Sequence, residues 1–211
     1  MLSLQSFEKS YSGNLILKVN HCALVKGIYR LKGANGTGKS TLIKCIAGLL
    51  PFKGTITINN ISLKKCRISY RQKINFADAE PLFPEFLTGE EMIQLFIHAK
   101  NGAIHDIDEL IESLNMRHYL QSPVGTYSSG MLKKLSLALA CIGKPEWILL
   151  DEPFITLDSD SLTAIQTQIK KLHEEKNTGI LFSSHQIVQL ENLPSVKQIF
   201  IEDKSLKLQY P

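Results

Sequence analysis

A glycine-rich loop at residues 33–41 holds the groups of this sequence that are best suited to chemistry. Its letters Gly-Ala-Asn-Gly-Thr-Gly-Lys-Ser match the pattern G-x-x-x-x-G-K-[ST], and Thr41 follows them. Glycines lack a Cβ, so successive backbone amides can approach phosphate oxygens, backed by the positive end of the next helix. The Lys39 ammonium would bind the β- and γ-phosphates, and the Ser40 hydroxyl would bind Mg²⁺. The pattern therefore predicts a nucleoside triphosphate site, whose contacting residues are Gly33, Ala34, Asn35, Gly36, Thr37, Gly38, Lys39, Ser40 and Thr41.

Two consecutive carboxylates end an apolar run later in the chain. Residues 147–150 are apolar throughout, as in a strand that is buried on both faces, and Asp151 and Glu152 follow them. An aspartate at the carboxyl end of a central strand lies near such a loop, so we expect Asp151 to orient Mg²⁺. Glu152 would polarise the water that attacks the γ-phosphate or act as its general base. Without the glycine loop, a capped strand end would explain the same letters.

The segments around these groups alternate as in an α/β domain. A strand at 28–32 and a helix at 39–50 flank the loop, which is the setting that the pattern requires. Further strands are expected at residues 2–7, 14–19, 23–25, 55–58, 74–77, 147–150, 179–182, 196–201 and 205–209, and further helices at 129–142 and 159–175.

The alternation of strands and helices is interrupted after residue 80. Thr88 and Glu91 form a capping-box pattern, and apolar residues at helical spacing over 92–99 and 106–116 predict two amphipathic helices. We therefore predict an α/β fold: a P-loop NTPase core with an N-terminal antiparallel β-subdomain and a small inserted α-helical subdomain. We expect all 211 residues to form one ATP-binding domain. Its core and β-subdomain are residues 1–80 and 127–211, and its helical subdomain is about 81–126.

Composition excludes several classes of protein. The net charge of +4 comes without a cluster of basic residues interleaved with aromatics, so we expect no nucleic-acid partner. The four cysteines are scattered along the sequence, which is typical of free thiols in a reducing compartment: Cys22, Cys45, Cys66 and Cys141. The sequence has no apolar run of about 18 residues, and its start lacks the pattern of a secretory signal. We expect a cytoplasmic protein.

The ordered motifs resemble those of the ATP-binding cassette (ABC) transporter ATPases, over nearly the whole chain. Tyr11 lies 22 residues before Gly33, about where these ATPases place an aromatic ring against adenine. Residues 127–131, Tyr-Ser-Ser-Gly-Met, occupy the position of the family's signature, here called the signature segment. Within the family, the pattern is similar to that of exporter-type subunits with a single cassette.

Two further segments carry the same resemblance. Residues 155–158 resemble the loop that crosses to the opposite subunit, which implies a nucleotide-binding role for Asp158. His185 follows the predicted strand and matches the histidine that contacts the γ-phosphate and assists hydrolysis in the family. By itself, His185 would be read as a surface histidine just past a strand.

The resemblance implies how the parts work together. Ser128, Ser129 and Gly130 at a helix N-terminus would reach the γ-phosphate of an ATP bound to a second copy, so that two ATP molecules lie in a head-to-tail dimer. Read without the family, that segment is an ordinary N-capped helix start. The implied partners are a second ATPase subunit, identical or different, and a separate transmembrane permease. The implied location is the inner face of the cell membrane, reached through the permease, and the implied cofactors are ATP and Mg²⁺.

This sequence departs from the family's pattern at two places. The usual signature is Leu-Ser-Gly-Gly-Gln, and Tyr127, Ser129 and Met131 replace three of its letters. Ala79 stands where a glutamine usually contacts magnesium and the attacking water, with Asp78 and Glu80 on either side. Because alanine has no side-chain donor or acceptor, slow hydrolysis is one expectation.

Three alternatives remain beside an exporter subunit. One is a soluble ABC ATPase that takes no part in transport. Such proteins generally carry zinc motifs, duplicated cassettes or basic arms, and this sequence has none of them. Another is a weakly catalytic partner in a heterodimer, which Ala79 suggests. A small-molecule kinase would leave the signature segment and His185 unexplained.

Overall fold

Two β-sheets and a group of helices build the chain in this computed structural model, which describes residues 1–185, 190, 192–193 and 195–209. The strands are β1 Leu2–Tyr11, β2 Asn14–Leu24, β3 Ile28–Lys32, β4 Lys53–Ile58, β5 Ile61–Ser62, β6 Ile74–Ala77, β7 Trp147–Leu150, β8 Gly179–Ser183, β9 Lys197–Glu202 and β10 Ser205–Gln209. The helices are α1 Lys39–Ile46, α2 Arg67–Gln72, α3 Gly89–Lys100, α4 Asp108–Ser113, α5 Ser129–Ala140 and α6 Ser159–Lys176.

The larger sheet has the strand order β10-β9-β3-β8-β7-β6. Neighbouring strands from β9 to β6 are parallel, and β10 pairs with β9 antiparallel. Every residue of β7 is buried, which explains its apolar letters. The carboxyl ends of β3, β7 and β8 therefore lie at one edge, and that edge receives the glycine loop and the acidic pair.

The smaller sheet is antiparallel, with the order β2-β1-β4-β5. Its buried face shares one core with α1 and with β3, β7 and β8, through residues such as Leu4, Ile43 and Leu181. The structure thereby confirms the predicted α/β fold with an antiparallel β-sheet near the N-terminus. It also explains how Tyr11, at the end of β1, comes close to a loop that begins at Gly33.

Helices α3 and α4 occupy the region of the predicted helical subdomain, together with 3₁₀ turns at Ile104–Asp106, Arg117–Tyr119 and Val124–Thr126. The predicted capping box is present at the start of α3. The Thr88 amide donates to Glu91 Oε2 over 2.8 Å, and the Glu91 amide donates to Thr88 Oγ1 over 3.1 Å. The subdomain limits of about 81 and 126 stay a prediction.

Several predicted element limits were wrong, including the end of β1, which lies at Tyr11 and not at residue 7. The strands predicted at residues 14–19 and 23–25 form the single strand β2, which ends at Leu24, because pairing with β1 resumes at the polar His21 opposite Gln5. The first helix ends at Ile46, before Gly48 with φ of 76°, and not at residue 50.

The helix expected over 106–116 is shorter and begins only at Asp108. The Asp106 carboxylate accepts hydrogen bonds from the amides of Ala103 and Gly143, each over 3.0 Å. These contacts hold Asp106 in a 3₁₀ turn that precedes α4.

Candidate active site

The phosphate loop, residues 33–41, connects β3 to α1 as the pattern predicts. Gly36 and Gly38 have φ of 79° and 102°, a backbone region that side-chain-bearing residues rarely adopt. Gly38 is the N-cap of α1, and a Cβ there would lie 2.8 Å from Ile16 Cγ2. The loop therefore requires glycine at this position both for its conformation and for space.

Lys39 is 7% exposed, and its ammonium lies over the loop. Its Nζ donates to the carbonyl oxygens of Gly33 over 2.8 Å and Ala34 over 3.1 Å. These contacts hold a positive charge inside the concave face formed by the loop, where an anionic ligand would bind.

Asp151 lies directly across from the start of α1. Its Oδ1 accepts hydrogen bonds from Ser40 Oγ over 3.0 Å and from Ser183 Oγ over 2.6 Å. The carboxylate is 1% exposed, and its Oδ2 has no hydrogen-bond partner among the residues that the structure describes. A buried carboxylate oxygen without a donor, next to a serine hydroxyl, fits the oxygen ligands that Mg²⁺ prefers.

Glu152 follows in a strained backbone conformation, with φ of 44°. Its amide donates to Ser183 Oγ over 2.8 Å. One carboxylate oxygen lies 2.8 Å from Nδ1 of His185, and the other accepts from the His185 amide over 3.4 Å. The structure thus brings together the two predicted catalytic residues, Glu152 for the attacking water and His185 for the γ-phosphate.

One cavity of about 510 Å³ joins these groups. Its lining residues are Tyr11, Ile16, Asn35, Gly36, Gly38, Lys39, Ser40, Thr41, Glu152 and His185. Six residues of the predicted phosphate loop thus share a cavity with both predicted catalytic residues. We call this the main cavity.

Tyr11 lies at the edge of the main cavity and is 43% exposed. The Lys9 ammonium lies 4.2 Å from the centre of its ring and donates to the carbonyl of Pro51 over 2.9 Å. A cation against one face of the ring holds it in place and leaves an aromatic surface for a base to stack on. Lys9 was missed in the sequence, because a lysine in an exposed-looking strand gives no sign of burial.

The signature segment lies elsewhere in the described part of the chain. Ser128 caps α5, its Oγ accepting from the Met131 amide over 3.3 Å, and Ser129 is exposed at the helix tip. Ser129 lines a second cavity of about 460 Å³, here the side cavity, together with Ala79, Glu80 and Glu152. Ser128, Ser129 and Gly130 do not line the main cavity of their own chain, and their contacts with the nucleotide of a second copy stay a prediction.

Asp158 likewise acts as a helix cap in this structure. Its Oδ1 accepts from the Ser161 amide over 2.8 Å, and Lys134 Nζ lies 3.1 Å from its Oδ2. Hydrogen bonds from Ser161, and then the Lys134 ammonium, hold the pKa of Asp158 below its ordinary value. The carboxylate is exposed and ionised at neutral pH, and its contact with nucleotide stays a prediction.

Ser183 was not among the predicted site residues, yet it connects Asp151 to the amide of Glu152. Its sequence signal is a serine that ends the apolar strand β8, at the edge where the other site residues lie.

The helices that the structure describes include none with the length and apolar character of a membrane span.

Comparisons with known proteins found a matching family model and several related sequences. The family model of the ABC transporters matches residues 18–155. The cytochrome c biogenesis ATP-binding export protein CcmA of Legionella pneumophila (strain Lens) is 38% identical over 165 residues, which cover 78% of this chain and 82% of that protein. The bacitracin transport ATP-binding protein BcrA of Bacillus licheniformis is 34% identical over 184 residues, which cover 85% of this chain and 60% of that protein.

Solved structures show the same fold. The structure of an ATP-binding subunit of an ABC transporter has a TM-score of 0.86 and is 25% identical, covering 98% of this chain and 88% of its own. The dimeric ATP-binding cassette MJ0796 bound to ADP and Pi has a TM-score of 0.84 at 23% identity, covering 99% of this chain and 98% of its own.

Proposed function

The chain belongs to the ABC transporter family of ATP-binding proteins, and we propose that it hydrolyses ATP as a dimer to power a separate membrane permease. One observation carries this proposal: the Glu152–His185 pair, at 2.8 Å, lines the same cavity as the phosphate loop. A phosphate loop alone would suit binding without turnover. A carboxylate paired with a histidine at the mouth of that loop suits activation of a water.

Within the main cavity, the residues have separate tasks. Lys39 and the amides of the phosphate loop bind the triphosphate, and Tyr11 stacks against the base. Ser40 and Asp151 would hold Mg²⁺, which neutralises phosphate charge when it is bound. Glu152 accepts a hydrogen bond or a proton from the attacking water, and His185 fixes the direction of the Glu152 carboxylate.

The exposed signature segment supports a head-to-tail dimer. Ser128 and Ser129 are exposed at the N-terminus of α5, where unpaired helix amides favour an anion. The γ-phosphate of ATP in a second copy would meet this tip, and Asp158 of the crossing loop would lie at the same junction. ATP then joins the two subunits until hydrolysis removes the shared phosphate.

The proposed partner is a permease that receives ATP-driven motion through the helical subdomain. Leu82 and Phe86, in the connection from β6 to α3, are 96% and 81% exposed, and Leu95 on α3 is half exposed. Three strongly exposed apolar side chains in this region support a protein contact surface there. Similarity to an export protein and to a transport protein agrees with that assignment. We propose that the ATPase binds the cytoplasmic face of the membrane through this partner.

Hydrolysis and partner binding can be tested together. Purified chain with MgATP is expected to release phosphate at a saturable rate, and a permease from a neighbouring reading frame is expected to co-purify with it. The control is Leu82→Glu/Phe86→Glu, which should lose the permease and keep basal hydrolysis. Hydrolysis without any membrane partner from the gene neighbourhood would favour the soluble alternative.

Ala79→Gln tests the departure from the family's pattern. The Asp78 carboxylate forms an ion pair with Lys44 Nζ over 2.9 Å. Ala79 and Glu80 both line the side cavity beside Glu152. A glutamine at position 79 would add an amide next to the attacking water, so we expect turnover to stay equal or rise by about threefold. Phosphate release under saturating ATP measures it.

Ala79→Leu is the matched control, because it adds similar volume without an amide. An equal rise in both variants would mean that filling the side cavity, and not hydrogen bonding, is responsible. A sharp fall for Ala79→Gln alone would contradict the alignment of this segment. Low turnover of the natural chain that Ala79→Gln raises steeply would support the role of a weakly catalytic partner.

A further inference from the structure

Lys133 is almost fully buried, at 2% exposure, which is the lowest value of any lysine in the part of the chain that the structure describes. It lies on α5, one turn after Ser129, so that both residues are on the same side of the helix. Its ammonium donates to three backbone carbonyls: Asp151 over 3.0 Å, Asp78 over 3.0 Å and Ala79 over 3.3 Å. An ammonium has three N–H donors, so each donor has one acceptor.

These three carbonyls belong to segments that are far apart in sequence. Asp78 and Ala79 begin the connection from the core to the helical subdomain, and Asp151 precedes Glu152. Lys133 itself belongs to the helix that starts with the signature segment. One side chain therefore joins the signature helix, the connection to the helical subdomain and the acidic pair.

The contact with Asp151 acts on the peptide group between Asp151 and Glu152. The carbonyl of that peptide accepts from Lys133 over 3.0 Å, and its amide, on Glu152, donates to Ser183 Oγ over 2.8 Å. Both polar atoms of the peptide are thus held, on opposite sides. Because Glu152 is in a strained conformation with φ of 44°, such contacts are needed to fix the direction of its side chain.

Burial of the Lys133 ammonium has a desolvation cost. Desolvation lowers the pKa of Lys133 to about 8, and the carboxylates of Asp151, Asp78 and Glu152 oppose the decrease. The side chain is still mostly an ammonium at pH 7. A methionine or leucine of similar volume would leave three buried carbonyls without a donor.

We propose that Lys133 is a positioning residue for hydrolysis, which transmits the position of the signature helix to Glu152 and to the connection of the helical subdomain. When ATP brings the signature segment of one copy against another copy, α5 moves. Lys133 moves with α5 and, through its hydrogen bonds, displaces the acidic pair and residues 78–79. This inference rests on the proposed function, because it assigns Lys133 a part in the same reaction.

Lys133→Met tests the inference against a matched control, Lys100→Met. The Lys100 ammonium also donates to backbone carbonyls, of Arg71 over 2.6 Å and Ile74 over 2.9 Å, and burial also lowers its pKa to about 8. It lies at the end of α3, outside both cavities. The two substitutions therefore remove the same kind of contact at different places.

At pH 7, Lys133→Met is expected to lower kcat at least about tenfold, because a small displacement of a catalytic group has an effect of that size. The Kd for MgATP should stay within about twofold, since Lys133 does not line the main cavity. Lys133→Arg, which keeps the charge and the donors, should recover most of the turnover. Lys100→Met should keep kcat within about twofold.

A double variant separates positioning from general destabilisation. In a Glu152→Gln background, adding Lys133→Met should lower single-turnover hydrolysis by less than about twofold, because the group that Lys133 positions is already gone. A full tenfold further loss, or parallel losses of kcat and Tm in the Lys100 and Lys133 variants, would overturn the inference.

Two other results have distinct meanings. If Lys133→Met does not fold, Lys133→Gln takes its place, and a wild-type kcat in that variant would also overturn the inference. If the natural chain binds MgATP but never hydrolyses it, with or without a permease, the proposed function fails and this inference with it. If the natural chain hydrolyses ATP normally and the Lys133 variant has an unchanged kcat, the inference fails and the proposed function stands.

Discussion

Glu152→Gln is expected to lower ATP turnover by about a thousandfold, within the range measured for the loss of a general base. The amide can still accept a hydrogen bond from water, but it cannot take a proton at neutral pH. Lys39, Ser40 and Asp151 are unchanged, so ATP should still bind. With ATP bound and not consumed, the variant should elute from gel filtration as a dimer in MgATP and as a monomer in ADP.

Glu146→Gln is the matched control for this experiment. Glu146 precedes the same strand β7 at its opposite end, where it pairs with Lys26 over 2.6 Å. A partly exposed ion pair contributes about 1 kcal/mol or less, so the control should fold and hydrolyse ATP normally. Monomeric elution of Glu152→Gln in saturating MgATP would contradict the proposed dimer, and near-normal turnover would contradict the role of Glu152.

Sequence alone was sufficient for the parts of the site that depend on local pattern. The phosphate loop is one continuous segment whose glycines and lysine have fixed offsets, so its position between β3 and α1 followed directly. The acidic pair could be located because strand β7 is apolar at every position and Asp151 follows it directly. Parallel strands then bring both segments to one edge of the sheet.

Contacts between distant segments could not be read in the same way. Nothing in the letters near Lys133 indicates that its ammonium binds carbonyls at positions 78, 79 and 151. Lys9 is similar, since its burial depends on how β1 packs beside Pro51. A lysine followed by another lysine, as at positions 133 and 134, is read by default as a solvated face.

The errors in element limits have the same origin. Strand β2 continues past Asn20 because β1 pairs with it again from His21, whatever the side chains prefer. The helix expected from residue 106 begins at Asp108, because the Asp106 carboxylate binds the distant Gly143 amide. Tertiary contacts thus overrode local preference in both places.

Lys39→Ala is expected to abolish tight ATP binding, with Kd raised at least about a hundredfold. The ammonium is the charge that the structure places inside the phosphate loop, 2.8 Å from the Gly33 carbonyl. Charge-assisted hydrogen bonds to phosphate contribute about 3 kcal/mol, which corresponds to that factor in Kd. Calorimetric titration with MgATP measures the change directly.

Lys44→Ala is the control that distinguishes a site effect from a change in overall charge. Lys44 belongs to the same helix α1 and pairs with Asp78 over 2.9 Å, outside the main cavity. Both variants remove one positive charge from α1, so a long-range effect of net charge would weaken ATP binding equally in the two. Retained micromolar affinity in Lys39→Ala would contradict the assignment of the phosphate loop, and with it the catalytic role of Glu152. A selective loss in Lys39→Ala would instead show that the triphosphate binds where β3 ends, within reach of the acidic pair.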